Sequence, residues 1–402
     1  MAGLVALAGI AGLAAGCGSA SAEERRGADL EVAAGDPAAA AAGDLAFGLA
    51  LLDAWCAADP SANIVLSPAS VASGLGMAAL GAKGATAAEM SEALGWPADP
   101  LPDLRARTAA LRATPGLKVS DQIWADPGPA TERPYLDRLQ TAYRAPLRLV
   151  PLLAEPEDAR ATINDAIAED TDGLIEDLLP EGSLGGVPWV LTDAVHFEAD
   201  WASPFEPEDT APRPFTTASG GRVDAEFLNR SNRYGYANEN GWTAVRLPYS
   251  RGTVSMVALL PDADADDTGC AIPSAEALRG LALKDEVVSL ALPKTDLTTK
   301  RQLKDLLEKT GMSLPFSDTA DFTGISRDAG KLAFVLHAAT LRVDEEGTEA
   351  AAATAVGVEA TGAAPPDQLL EVVFDRPYLL LLRDEVTGQP LFLARVADPT
   401  RH

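Results

Sequence analysis

A chain of 402 residues with 59 Asp and Glu against 32 Lys and Arg carries a net charge of −27, which argues against nucleic acid and anionic lipid surfaces as partners. Its 47% hydrophobic and 23% charged residues suit a sizeable core and exclude disorder by composition. Three cysteines exclude a disulfide-framework fold and a zinc site built on cysteine.

In chain order the first element is residues 4–16, an apolar run too short to cross a bilayer as a helix. It ends in Leu13-Ala14-Ala15-Gly16-Cys17, which resembles a bacterial lipobox. The resemblance implies a signal peptide over 1–16 and a mature protein that begins at Cys17 with a diacylglyceryl anchor, extracellular or at the cell surface. Ala14 stands where a larger aliphatic is usual, and no Lys or Arg precedes the run, so a plain cleaved leader and a secreted soluble protein is the alternative. Residues 17–43 are mostly Gly, Ser, Ala, Glu and Arg, which predicts a flexible tether in front of a folded domain over 44–400.

The pattern LAFGLALLDAWCAA places Cys56 as a buried structural thiol, with pairing to Cys270 after export as the other reading. Next comes NIVLSPASVASGLGMAALGAKGATAAEM (63–90), where Ser67 before Pro68 fits a helix N-cap and first-turn pair, with Ser70 just inside. Further along lie INDAIAEDTDGLIEDLL (163–179), LTDAVHFEADWASPFEPEDTAPRPF (191–215), LPYSRGTVSMVALLPD (247–262), LPKTDLTTKRQLKDLLEKTGM (292–312) and DRPYLLLLRDEVTGQPLFLARVADP (375–399). No Gly-x-Ser-x-Gly elbow, His-Glu-x-x-His, Cys-x-x-Cys or Walker loop occurs. His196 and His337 fall in apolar, strand-like runs as satisfied core groups, and His402 ends the chain. No metal or cofactor is implied.

Residues 344–356 read DEEGTEAAAATAV. At a period of two, positions 348, 350, 352, 354 and 356 are Thr, Ala, Ala, Thr and Val, while Glu349 lies on the other parity with three alanines. One side can therefore enter a sheet without desolvating a charge. Alanine favours helix, so nothing local holds the segment extended, and it reads as a segment with two states.

The run Glu345-Glu346-Gly347-Thr348-Glu349-Ala350-Ala351-Ala352-Ala353-Thr354 resembles the proximal hinge of inhibitory serpins. With the six blocks above it makes seven segments similar to serpin segments in the family's order, running from residue 63 to residue 399, more than four fifths of the chain. The resemblance implies one α+β domain, with a large mixed five-stranded sheet that can accept a sixth strand, smaller sheets and about eight to nine helices. It implies a monomeric, cofactor-free inhibitor of serine or cysteine proteases and no enzyme activity. A bait loop over about 345–371 would be cleaved, and its hinge would insert into the large sheet. Gly347 would supply backbone freedom, and Thr348 and Thr354 would be uncharged at the first and fourth inward positions. Non-inhibitory serpins often carry a charge or proline there; a serpin-fold binding or chaperone-like surface lipoprotein is the alternative reading.

The family's sheet-opening cluster falls here on Ser67, Ser70, Asp193 and His337, with Trp201 at the top where insertion begins. Asp193 replaces an asparagine, which implies a buried negative charge unless His337 or the aspartate itself is protonated. Ala338 replaces a usual lysine and Thr295 an aromatic. Counting about seventeen residues from Glu345 puts Thr361 before the scissile bond and Gly362 after it, within the window 358–364. That window holds small residues beside Glu359 and no Arg or Lys, which points to elastase-like or subtilisin-like proteases.

Overall fold

The computed structural model describes residues 22–173, 175–263, 270–348 and 369–401. The first part of the chain forms β1 (Glu23–Arg25), α1 (Pro37–Ala58), β2 (Ile64–Leu66), α2 (Pro68–Ala79), α3 (Gly84–Ala93), α4 (Leu101–Ala113), β3 (Leu117–Ala125), α5 (Arg133–Tyr143), β4 (Leu147–Leu149) and α6 (Pro156–Asp170). The middle adds β5 (Trp189–Phe197), β6 (Ala199–Asp200), β7 (Ala211–Thr216), β8 (Arg222–Glu239), β9 (Trp242–Pro248), β10 (Val254–Pro261) and α7 (Ala275–Arg279). The last part is β11 (Lys284–Pro293), β12 (Thr295–Gln302), α8 (Lys304–Lys309), β13 (Val335–Val343), β14 (Gly347–Thr348), β15 (Leu370–Val373), β16 (Tyr378–Asp384) and β17 (Pro390–Val396). Eight α-helices among the described residues and a large mixed sheet make the expected α+β fold.

Local chemistry starts the helices that carry the core. Asp36 caps α1 by accepting from the Ala38 N–H, and Ser67 caps α2 by accepting from the Ser70 N–H, each followed by proline in the first turn. α6 begins before the 163–179 block and stops within it at Asp170, because Asp172 and Gly173 take φ of 52° and 82°.

The large sheet runs β1-β4-β3-β5-β13-β12. Five of these strands are the expected ones, and the sixth, β1, sits at the outer edge. β5 is buried along its whole length, with Leu191 and Val195 facing the body and Val190 and Ala194 packed under α6 beside Trp124, Ile163 and Ala338. The second sheet runs β15-β11-β8-β9-β10-β16-β17-β2, with β7 on β8. A third pairing, β14 with β6, stands at the upper end of β5.

Two expectations are corrected. The described part of the predicted tether, residues 22–43, is docked on the domain, and α1 begins within it. Glu23–Arg25 pair with β4, Ala28 N–H donates to Asp137 Oδ1 at 2.7 Å, and Leu30 N–H donates to Thr141 Oγ1 at 2.8 Å. Gly27 and Gly35 approach so closely that a Cβ would lie 2.1 Å from Leu136 and 2.0 Å from Pro102 backbone atoms. A polar segment can dock through its own backbone groups, which composition does not report. Cys56 is not a free thiol: it is disulfide-bonded to Cys270, joining α1 to the segment before α7 across 214 residues. The apolar pattern shows that Cys56 is buried but not which distant residue arrives beside it.

Candidate functional site: the hinge and the seam of the large sheet

β5 and β13 run parallel and pair only over Leu191–Val195 and Val335–Ala339. Above this seam β13 ends at Val343 and the chain reverses. Asp344 makes the reversal: its N–H donates to Gly347 O at 3.1 Å, and its Oδ1 accepts from the Glu346 and Gly347 N–H groups at 3.0 and 3.2 Å. The Asp-x-x-Gly spacing in DEEG is a turn signal. Trp201 holds the turn from the side, donating its indole N–H to Asp344 O at 3.0 Å and its backbone N–H to Glu346 O at 2.8 Å. Glu345 binds Lys294 at 2.8 Å and accepts from Thr210 Oγ1 at 2.8 Å.

Gly347 and Thr348 then pair antiparallel with Ala199 and Asp200. Gly347 does not take a left-handed φ, so backbone freedom is not its role in this conformation. A Cβ there would stand 2.1 Å from Ala199 O, and it is the missing side chain that lets the strands meet. Thr348 is fully buried and shares a 2.6 Å hydrogen bond with the Tyr249 hydroxyl. Tyr249 stacks on Trp201 with ring centroids 4.6 Å apart, and burial pushes its hydroxyl far above the ordinary tyrosine range. Nothing in the sequence pattern singled out Tyr249.

The cluster predicted to control sheet opening is assembled lower in the same seam. His337 and Asp193 are register partners of β13 and β5, and His337 Nδ1 lies 2.6 Å from Asp193 Oδ1. The Ser67 N–H donates to His337 Nε2 at 3.3 Å, so Nε2 accepts and the proton is on Nδ1. A neutral His337 thus donates to the Asp193 carboxylate. Ser67 caps α2 as well, and Ser70 turns its hydroxyl to Asp121 Oδ1 at 2.6 Å, so Asp121 is a member that sequence reasoning missed. Its only signal is register, opposite Asp193 on β3. Cys17, Glu349, Ala350, Ala351, Ala352, Ala353, Thr354, Thr361 and Gly362 lie outside the described residues.

Comparison with known proteins agrees with this architecture. Tengpin, a thermophilic serpin in its native state, superposes with a TM-score of 0.82 at 24% identity, covering 94% of this chain and all of that one. Thyroxine-binding globulin in complex with thyroxine superposes with a TM-score of 0.77 at 24% identity, covering 90% and 99%. Leukocyte elastase inhibitor of Sus scrofa is 31% identical over 374 residues, 88% of this chain and 97% of that protein. A serpin-like protein of Thermococcus kodakarensis is 30% identical, covering 84% and 81%. The family model described as "Serpin (serine protease inhibitor)" matches residues 42–399, so the body that carries this hinge and seam belongs to the serpin family.

Proposed function

We propose that the protein is a suicide inhibitor of serine endopeptidases, exported from the cell and held at a membrane by lipid on Cys17. The observation that carries inhibition is the seat of Thr348. It lies buried at the head of the β5/β13 seam, in a two-residue strand directed back down the sheet. A strand continued from it in that direction would run between β5 and β13, with the uncharged parity of 348–356 turned inward.

In this reading the target's serine Oγ attacks the Thr361 carbonyl, the amide bond to Gly362 breaks, and an acyl-enzyme ester joins the two proteins. The freed segment adds to the sheet by the reactive-loop insertion for which serpins are known, carrying the protease with it before water can deacylate the ester. Small residues around 361 favour elastase-like or subtilisin-like targets, in keeping with a relative named leukocyte elastase inhibitor. The Cys56–Cys270 disulfide suits an oxidising compartment and so supports export.

The test is incubation with a panel of elastase-like, subtilisin-like and trypsin-like proteases, followed by a denaturing gel and mass spectrometry of the released fragment. A covalent adduct with the first two, cut between 358 and 364, is expected. Cleavage without any adduct would leave a serpin-fold protein that does not inhibit. Membrane partitioning of the parent, lost in Cys17→Ser, tests the anchor separately.

A further inference from the structure

Asp121 and Asp193 face one another on adjacent strands, and both carboxyls point to α2. Ser70 Oγ donates to Asp121 Oδ1 at 2.6 Å, and a Cβ on Gly74 would lie 4.0 Å from Asp193 Oδ2. Asp193 Oδ1 is served by His337, while Oδ2 is buried without a hydrogen-bond partner among the described residues. Because His337 is the neutral tautomer, it brings Asp193 one donor and no positive charge. The groups that face Asp121 are Asp193 from β5, Ser70 and Ser73 from α2, and Arg107 and Arg112 from α4. Tyr143 of α5 and Asp44 of α1 stand behind them. Burial, and after it the charge of Asp193, pushes the Asp121 carboxyl well above the usual range, against hydrogen bonds from Ser70 and Ser73 and the pull of Arg107.

We propose that Asp121 is a proton-carrying positioning residue for sheet opening, a neutral carboxyl that serves Asp193 when His337 is withdrawn from it. This rests on the insertion reading above. A strand entering between β5 and β13 would move them from about 4.8 Å to about 9.6 Å apart, out of hydrogen-bond reach for His337 and Asp193. β3 and β5 are joined over nine register pairs, so Asp121 stays beside Asp193 as the seam parts. The Asp121 O–H then donates to Asp193 Oδ2, or breaks as an O–H forms on that oxygen. Either way, below the titration of Asp121 the pair keeps one proton and one negative charge in both states and draws no proton from solvent, whereas above it insertion has to take one up. A carboxylate that would be left buried without a donor is thereby tolerated.

The inserted state holds this proton more tightly than the closed one, because Asp193 has lost His337. Insertion should therefore be favoured at low pH and slow by up to tenfold per pH unit as pH rises through the titration of Asp121. The test uses the intact, uncleaved protein and a synthetic peptide of residues 348–359, TEAAAATAVGVE, with annealing followed on native gels from mildly acid to mildly alkaline buffer. The parent should show the falling limb. Asp121→Asn, which keeps a neutral donor, should anneal at the parent's acid-limb rate with a flat profile. Asp121→Ala should anneal slowly at every pH, and adding Asp193→Asn, which removes the charge to be satisfied, should restore the rate. A flat parent profile, an Asn variant that keeps the parental slope, or an Ala variant as fast as the parent would each overturn the role of Asp121. Failure of the peptide to anneal with any variant at any pH would instead remove the insertion reading, and this proposal with it.

Discussion

The two seams that flank β5 are built differently. On one side β3 pairs with β5 antiparallel over nine residues, from Leu117↔Phe197 to Ala125↔Trp189. On the other β13 pairs with β5 in parallel over five, from Val335↔Leu191 to Ala339↔Val195, and parallel pairing is slightly weaker per residue. β13 is in turn held to β12 over eight residues. The centre of the large sheet is thus two well-knit strand pairs, β3/β5 and β13/β12, joined along one short line, with β4 added to β3 and β1 to β4 over three residues each toward the outer edge. That line is closed at mid-height by His337 and Asp193, and at the top by a plug made of Trp201, Tyr249, Gly347 and Thr348. Among the four central strands the weak line is this one seam, and the hinge already sits at its mouth.

The largest effect on the β5/β13 seam is expected of Thr348→Arg. A guanidinium in the site that Thr348 fills would be buried without a partner, at a cost of about 3–5 kcal/mol, or would be expelled with β14. Adduct should disappear from the denaturing gel while loop cleavage continues, and an undiminished adduct band would show that β14 does not have to enter the seam. Trp201→Ala takes away the indole donor to Asp344 and the stacking surface of Tyr249, and truncation of a buried tryptophan costs about 3–5 kcal/mol. Thermal melting should fall accordingly. Hydrogen exchange should rise at Gly347 and Thr348 but not along β3/β5; loosening of both seams together would mean they are not independent.

Gly347→Ala is gentler. A methyl group 2.1 Å from Ala199 O must push β14 off β6, at a cost of about 1–3 kcal/mol, and exchange protection should be lost at β14 alone. The smallest effect is expected of Lys294→Ala. Burial raises the Glu345 carboxyl, but the bonds from Lys294 and Thr210 outweigh it and hold the group below its ordinary value of 4.5. A depressed carboxylate contributes stability that is present above 4.5 and lost as pH falls below it. The variant should be less stable than the parent by under about 1 kcal/mol at neutral pH, because Lys294 is partly exposed. That difference should vanish in acid, and one that persists there would assign the effect to something other than this ion pair.

Much of this was legible in the chain. The small, uncharged parity that begins at Thr348 describes a residue that the structure buries, and Ser67-Pro68 marks the start of α2 because a cap needs only a side chain and its own next three residues. The serpin blocks announced the sheet that contains β5 and β13. Other features were not local. Gly347 has the right residue type for a reason that lies in Ala199, 148 positions upstream by chain number and 2.1 Å from its missing Cβ. The docked segment around Glu23 reads as solvent-facing because its composition is polar, and its stabilising groups are backbone amides that composition does not count.

Periodicity and capping act over a few residues, so the chain alone carries the start of α2 at Ser67-Pro68, the uncharged parity that begins at Thr348 and the kinship with serpins. Register, pairing and charge sharing act between residues far apart in number. It is the folded chain that brings Cys56 to Cys270, Thr348 to Tyr249, and Asp121 opposite Asp193. An aspartate at 193 reads as a liability when its neighbours are unknown. It becomes intelligible once His337 is seen to donate to one oxygen, with a second carboxyl lying across the strand, because the cost of a buried charge is set by the donors that surround it.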